Sequence, residues 1–261
     1  MLVLPCRAPA LQPEARSGDN RASILTAADA ACPTTMKLIV AILSLVIAAV
    51  VLPMLFIPAP EALVEHQQRL PWNIAVLPDG NSQVLGLTLN RSTLADAKAL
   101  YGPDVDIAIV TAPGEKLGTL EAYVASAHAG FITGKLILTA GVDAERLAGM
   151  QQRAAKREYM ESTTVKSTLA PADLAAALAL PIQAISFVPS VKLDAEAVTA
   201  RFGAAERHIA VNDHQTHLLY PAKGLDVIVD TKGKPLLQYV APRDFARLQA
   251  PLDAIDTAPA Q

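Results

Sequence analysis

Ser92–Gly102 reads STLADAKALYG, and about a hundred residues later Asp194–Gly203 reads DAEAVTARFG. Each stretch opens on a side-chain oxygen able to cap free N–H groups, places an acid in its first turn, and ends on an aromatic residue followed by glycine. Asp194 stands where Thr93 stood, Phe202 where Tyr101 stood and Gly203 where Gly102 stood. Two short amphipathic helices with glycine stops follow, Leu94, Ala97, Leu100 and Tyr101 sharing one face of the first. Only the glycine is identical among those positions, so the order of the flanking elements has to carry the comparison.

That order repeats. After the first helix the chain alternates or runs apolar over Val105–Thr111, Leu120–Ala127 and Gly130–Thr139, with a turn near Thr133-Gly134, which reads as three antiparallel strands. Around the second helix, strands are expected at Ile185–Val188, Arg207–Val211, His217–Tyr220 and Leu225–Val229, and a turn at Asp230–Gly233 leads into Leu236–Val240. Upstream of the first, Ile74 and Val76, then Val84, Leu85, Leu87 and Leu89 beyond Asp79-Gly80, read as a hairpin. The fold class is therefore α+β: two tandem helix-plus-antiparallel-sheet modules over residues 59–142 and 182–248. Residues 143–181 read as a helical connector. Within it, Asp143–Met160 is a solvated helix with Leu147, Met150 and Ala154 on a modest apolar face, Ser162–Leu169 a strand or loop, and Pro171–Leu180 an Ala-rich helix stopped by Pro181. Pro242–Leu248 is a last short helix, and residues 249–261, rich in Ala and Pro, are expected to be disordered.

Both modules, a Thr or Asp cap, an aromatic-Gly stop and then a meander, resemble the small outer-membrane assembly lipoproteins, a fold that also occurs doubled in secreted β-lactamase inhibitor proteins. The resemblance covers roughly Gly86–Thr139 and Ile185–Asp244 and implies binding or scaffolding in the cell envelope, through the exposed sheet or its loops. The chain as a whole also looks like a proteobacterial membrane-anchored protein, which brings no activity with it. There are departures: no cysteine stands in a lipobox, and the inhibitor-type cysteines are missing, so neither lipid attachment nor inhibition carries over.

Met36–Ile57, MKLIVAILSLVIAAVVLPMLFI, sets the address. From Leu38 to Ile57 the run is apolar except for Ser44 and Pro53, and at about 1.5 Å per residue it makes a helix of roughly 30 Å, the thickness of a bilayer's hydrocarbon core. Its lipid-facing residues would be Leu38, Ile39, Val40, Leu43, Leu45, Val46, Ile47, Val50, Val51, Leu52, Leu55, Phe56 and Ile57. Arg21 and Lys37 precede the run, whereas Pro58–Leu70 offers Glu61, Glu65 and only Arg69, so the C-terminal part is expected outside the cytoplasm, as the periplasmic portion of a single-pass inner-membrane protein. A cleaved signal peptide is the competing reading, with Ala59 near a possible cut; a core helix would show a polar stripe, and this run has none. Residues 1–35 have no sustained period and precede a Met-Lys start typical of an export signal, so they read as a gene-model extension or a disordered tail, with residues 36–58 as the anchor.

A net charge of −3 and a pI near 5.9 show no basic surplus, so no nucleic-acid partner is expected. The expected partners are the bilayer, through residues 38–57, and an envelope protein. Both cysteines, Cys6 and Cys32, precede the anchor, so the C-terminal region cannot depend on disulfides or thiolate ligands. No cofactor is expected: the chain has neither G-x-G-x-x-G, nor a P-loop, nor G-x-S-x-G. Ser126-x-His128 has no acid partner that spacing can place. The one metal candidate is His214 with His217, beside Asp213, and it needs a turn, because side chains three apart on a strand point to opposite faces. The alternative is a pair of solvated loop histidines. Asp104/Asp106 and Asp226/Asp230 read as acids facing water. Trp72 reads as core or strand-cap packing, with an interfacial anchor as its rival. Tyr123, Phe131, Tyr220, Tyr239 and Phe245 read as core filling between helix and sheet, an exposed row being the alternative that would mark a partner face.

Overall fold

The computed structural model describes residues 33–55 and 69–256. The chain divides into two units, Met1–Ile57 and Pro58–Gln261. In the first, one helix, α1, runs Pro33–Leu55. Side chains are described for Leu38 and Val40–Leu52, and every one of them is exposed. That stretch is shorter than the roughly 20 residues a crossing needs, and among the described residues no helix is long and apolar enough to cross a membrane. Phe56 and Ile57, like residues 1–32, lie outside the described residues.

The second unit is α+β. It opens on a small three-stranded sheet, β1 Ala75–Val76, β2 Ser82–Val84 and β3 Leu87–Thr88. The Asp79-Gly80 turn is where the sequence puts it, but a second turn, Leu85-Gly86, folds β3 back on β2. Both of its residues are left-handed, φ 55° and 79°, as a type I′ hairpin turn demands. Asn90 ties this hairpin to the distant chain, its amide donating to Asn81 Oδ1 at 3.1 Å and Asp244 Oδ2 at 3.0 Å.

Helix α2 (Leu94–Tyr101) leads into β4 Asp106–Thr111, β5 Thr119–Ala129 and β6 Ile132–Ala140. Then come α3 (Ala144–Gln152), β7 Lys156–Tyr159, β8 Val165–Thr168, α4 (Pro171–Leu178) and β9 Ile182–Pro189. Helix α5 (Ala195–Phe202) precedes β10 Arg207–Ala210, β11 Gln215–Tyr220, β12 Leu225–Asp230 and β13 Leu236–Val240, and α6 (Ala246–Asp256) closes the described chain. The strands β4 to β13 form one antiparallel sheet in the order β10-β11-β12-β13-β9-β6-β5-β4-β8-β7.

The seam of that sheet is β9. It pairs with β13 on one side and with β6 on the other, so the last strand of each meander finishes against the same central strand. The hydrophobic core is correspondingly continuous: Leu94 and Ala97 of α2, Met150 of α3, Ala177 of α4 and Phe202 of α5 join Leu138, Ile185 and Leu237 on one sheet face. On the opposite face α6 covers one half, where Phe245 and Leu252 pack against Ile209, Leu219 and Val240.

Four local expectations are corrected. The helix expected over Asp143–Met160 ends at Gln152; Arg153 is caught in a two-pronged pair with Asp173 (2.8 and 3.1 Å), and Ala155 N–H bonds Thr168 O, turning the chain into edge strand β7. All four β7 residues are exposed, and the charges that suggested a solvated helix face are those that keep a sheet edge soluble. The connector over residues 143–181 is thus not purely helical. The β5–β6 turn lies at Gly130-Phe131, with Gly130 at φ 63°, rather than at Thr133-Gly134. Gly134 serves packing instead: a Cβ there would sit 2.6 Å from the Phe187 ring. Finally, Gln249–Asp256 is helical where disorder was expected, because Leu252 is buried on the sheet, while Pro242–Asp244 forms only a 3-10 turn.

Candidate functional site

The buried Leu70 and a hydrogen bond from Tyr239 Oη to Pro71 O (3.0 Å) pin the start of the second unit to its core. Complete burial pushes the Tyr239 phenol well above its ordinary pKa, so it stays protonated and able to donate to Pro71 O. Trp72, held next to that pin, packs partly on the core. Its ring lies 5.9 Å from that of Phe131 at the β5–β6 turn, tilted by 59°, and the Arg201 guanidinium at the end of α5 sits 4.9 Å from the indole centroid. Three distant segments therefore meet in one aromatic–cation stack. Phe131 itself is 77% exposed, which corrects its assignment to the core.

Beside this stack opens a cleft of about 670 Å³ lined by Arg69, Trp72, Asn73, Ile74, Gln83 and Leu100, with Gly86 on its wall. The wall is backed by strain. Leu85, in a conformation that costs an L-residue roughly 1–2 kcal/mol, is 1% exposed, and its carbonyl accepts a bond from Tyr101 Oη at 2.7 Å. Burial raises the Tyr101 pKa, which keeps that phenol a donor. Among the described residues that line it there is no carboxylate, imidazole or thiol, and its polar groups are those of Arg69, Asn73 and Gln83.

The predicted metal candidates are drawn apart. His214 Nδ1 is 2.6 Å from Asp213 Oδ1 in the loop before β11, whereas His217 Nδ1 is 2.7 Å from Asp226 Oδ2 within the sheet. Among the described residues no three His, Cys, Asp or Glu side chains come together to hold a metal ion. His217 is not a solvated loop residue, with its side chain 12% exposed, and Asp226 does not face water, at 1% exposed. Asp226 shares its sheet face with Leu219, which α6 covers, and α6 is longer than the sequence pattern indicated. Asp226 Oδ1 has no hydrogen-bond partner among the described residues. The ladder puts Ile209 and Ile228 directly beside His217, so this Asp–His pair has aliphatic cross-strand neighbours. Tyr220, Tyr239 and Phe245 are buried as expected, Tyr123 is half-buried, and Asp106 pairs with Lys166.

The stack was only half legible. Trp72 and the Gly130-Phe131 dipeptide are visible in the sequence, but a turn placed three residues too late hid Phe131 inside a strand. No protein family, curated protein or solved structure matches the chain.

Proposed function

We propose that the chain is a single-pass membrane-anchored binding or assembly module, held by Leu38–Ile57, with its α+β part outside the cytoplasm and without chemistry of its own. The observation that carries this reading is α1. Ten of its residues, among them Leu38, Leu45, Val50 and Leu52, expose between 46% and 72% of their surface. Removing such side chains from water is worth roughly 1.5–3 kcal/mol each when complete, so leaving them wet is a large penalty that a bilayer relieves. The helix has no polar stripe to lay on a protein core, and the run continues in sequence to Ile57. Arg21 and Lys37 before it and Glu61 and Glu65 after it favour the stated orientation.

The α+β part reads as two copies of one helix-plus-meander unit. Supporting this, Thr93 and Asp194 cap with φ, ψ of −97°, 170° and −92°, 172°, and Gly102 and Gly203 stop their helices at 98°, −178° and 85°, −172°. Each unit reaches its first strand at the same distance from its cap, Asp106 and Arg207. The resemblance to small outer-membrane assembly lipoproteins points the same way, toward docking on an envelope protein.

Flotation of alkali-washed membranes tests the anchor. The full chain should rise with the lipid, and a chain lacking residues 36–57 should remain below; a full chain that stays soluble overturns the proposal. Crosslinking in intact membranes then separates a binding module from a mere spacer, which would give no recurrent adduct.

A further inference from the structure

We infer that the end of the α+β unit bearing Trp72 and Phe131 is a lipid-facing surface that seats at the level of phospholipid headgroups. The inference rests on the membrane-anchor reading, which supplies the bilayer.

The register defines this end. Leu136, Phe187 and Leu237 are opposed across β6, β9 and β13, and Gly134 opposes Pro189 one step further along. Beyond that row the chain leaves the sheet at three adjacent places: the Gly130-Phe131 turn, the β9–α5 connector and the β12–β13 turn. Ser190 N–H donates to Thr133 O at 2.8 Å, which holds the connector against the turn. Two large apolar side chains exposed on the unit, Phe131 at 77% and Val191 at 47%, lie here together, and Phe131 is backed by Trp72.

Cations stand on the neighbouring elements: Arg201 lies over the indole, and Lys192 and Lys234 are exposed on the adjacent loops. The acids of the same loops and helix keep their charge: Asp213 pairs with Lys232 and His214, Asp230 accepts from Gln215 and the N–H groups of Lys232 and Gly233, Asp194 accepts from the N–H of Ala197, and Glu196 is exposed. An exposed aromatic tip with Lys and Arg on the adjacent elements has the composition of an interfacial anchor, where rings lie at headgroup depth and Lys and Arg reach lipid phosphate. A protein partner would be met by a broader apolar core, whereas this end offers a point. The tether is short. Only 16 residues separate Leu55 from Trp72, at most about 55 Å of extended chain, so the surface stays within reach of any bilayer that holds α1.

Trp72 is the only tryptophan, so its emission reports this surface alone. The full chain is incorporated into mixed phosphatidylcholine–phosphatidylglycerol vesicles, with bromine carried high on the acyl chains in one arm and absent in the other. A ring seated at the headgroup–acyl boundary should lose roughly half or more of its emission to the bromine. Phe131→Ala combined with Lys192→Glu and Lys234→Glu, all at exposed positions, should restore the emission while the protein still floats. Flotation with unquenched Trp72 overturns this inference and leaves the anchor standing; failure to float with unquenched Trp72 overturns both. Quenching that survives the triple variant also overturns it, since the tether alone would then account for the proximity.

Discussion

The two helix–glycine units have nearly superimposable caps yet bury their aromatic residues differently. In the second, Phe202 is 2% exposed and stacks 5.9 Å from Tyr220 of its own meander, whose hydroxyl returns to Gly203 O at 3.0 Å. In the first, Tyr101 is half-buried and reaches outside its meander to the strained Leu85 carbonyl. The α5 aromatic stacks within its own meander, whereas the α2 aromatic leans on the hairpin that precedes it. Strand β9, which precedes α5, pairs with β13 on one side and with β6 on the other, so β6 has no free side for the hairpin to join. The hairpin of β1 to β3 is left to form a sheet of its own, and Leu89–Leu94 follows the start of β9 through bonds such as Asn90 N to Ile182 O and Ile182 N to Ser92 O.

The largest consequence concerns Phe202. Phe202→Ala opens a cavity in the continuous core and should cost about 3–5 kcal/mol, measured by urea unfolding of the full chain in detergent with the α+β signal as readout. If the loss falls below about 1 kcal/mol, within the range of a surface substitution, the α5 aromatic does not anchor that core.

Next are the stops. A Cβ at Gly102 or Gly203 meets no atom within 4 Å, so the cost of Gly→Ala at either is backbone strain alone. It should be about 1–3 kcal/mol and the same at both sites. Unequal losses would show that one stop is held by its surroundings, which would break the equivalence of the caps.

Tyr101→Phe should cost about 1 kcal/mol, the usual net worth of one hydrogen bond, plus whatever the Leu85 carbonyl loses by standing unpaired. The same change at Tyr220 breaks the bond to Gly203 O and should be similar in size. Only the Tyr101 variant should loosen the small sheet, seen as faster amide exchange at Leu87 and Leu89, because only that hydroxyl reaches the hairpin of β1 to β3.

What the sequence made legible is the part that short-range physics decides. Caps, glycine stops, alternating strands and the Asp79-Gly80 turn depend on neighbours within one turn or one hairpin, and they stand where pattern puts them. The Leu85-Gly86 turn was hidden because leucine is the wrong residue for a left-handed position; tertiary burial of its side chain overrides that preference. Lys156–Tyr159 is charged in a way that suits a solvated helix and an edge strand equally, and only the free side of β8 decides between them. His217 and Asp226 looked solvated because the helix that covers their face was read as ending before Leu252. The seam itself, a single strand serving two meanders, has no local signature.

The smallest difference between the units lies in their N-caps. Thr93 and Asp96 exchange bonds in both directions: Asp96 Oδ2 accepts from Thr93 N–H at 2.8 Å, and Thr93 Oγ1 accepts from Asp96 N–H at 3.2 Å. Asp194 accepts a bond only from Ala197 N–H, at 2.8 Å. Thr93→Ala and Asp194→Ala should each cost about 1 kcal/mol, the first more because it breaks a reciprocal pair. The first cap is also tied to pH. The bond from the Thr93 N–H, followed by that from its hydroxyl, holds the Asp96 carboxyl below its ordinary pKa of 3.8. The folded chain therefore binds that proton less tightly than the unfolded chain does. Its contribution is fully present above the ordinary value and is lost as pH falls through it toward the lower folded one. The stability gap between the natural chain and Asp96→Asn should accordingly narrow between pH 6 and pH 3, as followed by urea midpoints. A gap that stays constant across that interval would mean the carboxylate contributes no charge to the cap, and the two N-termini would then be alike in chemistry as well as in geometry.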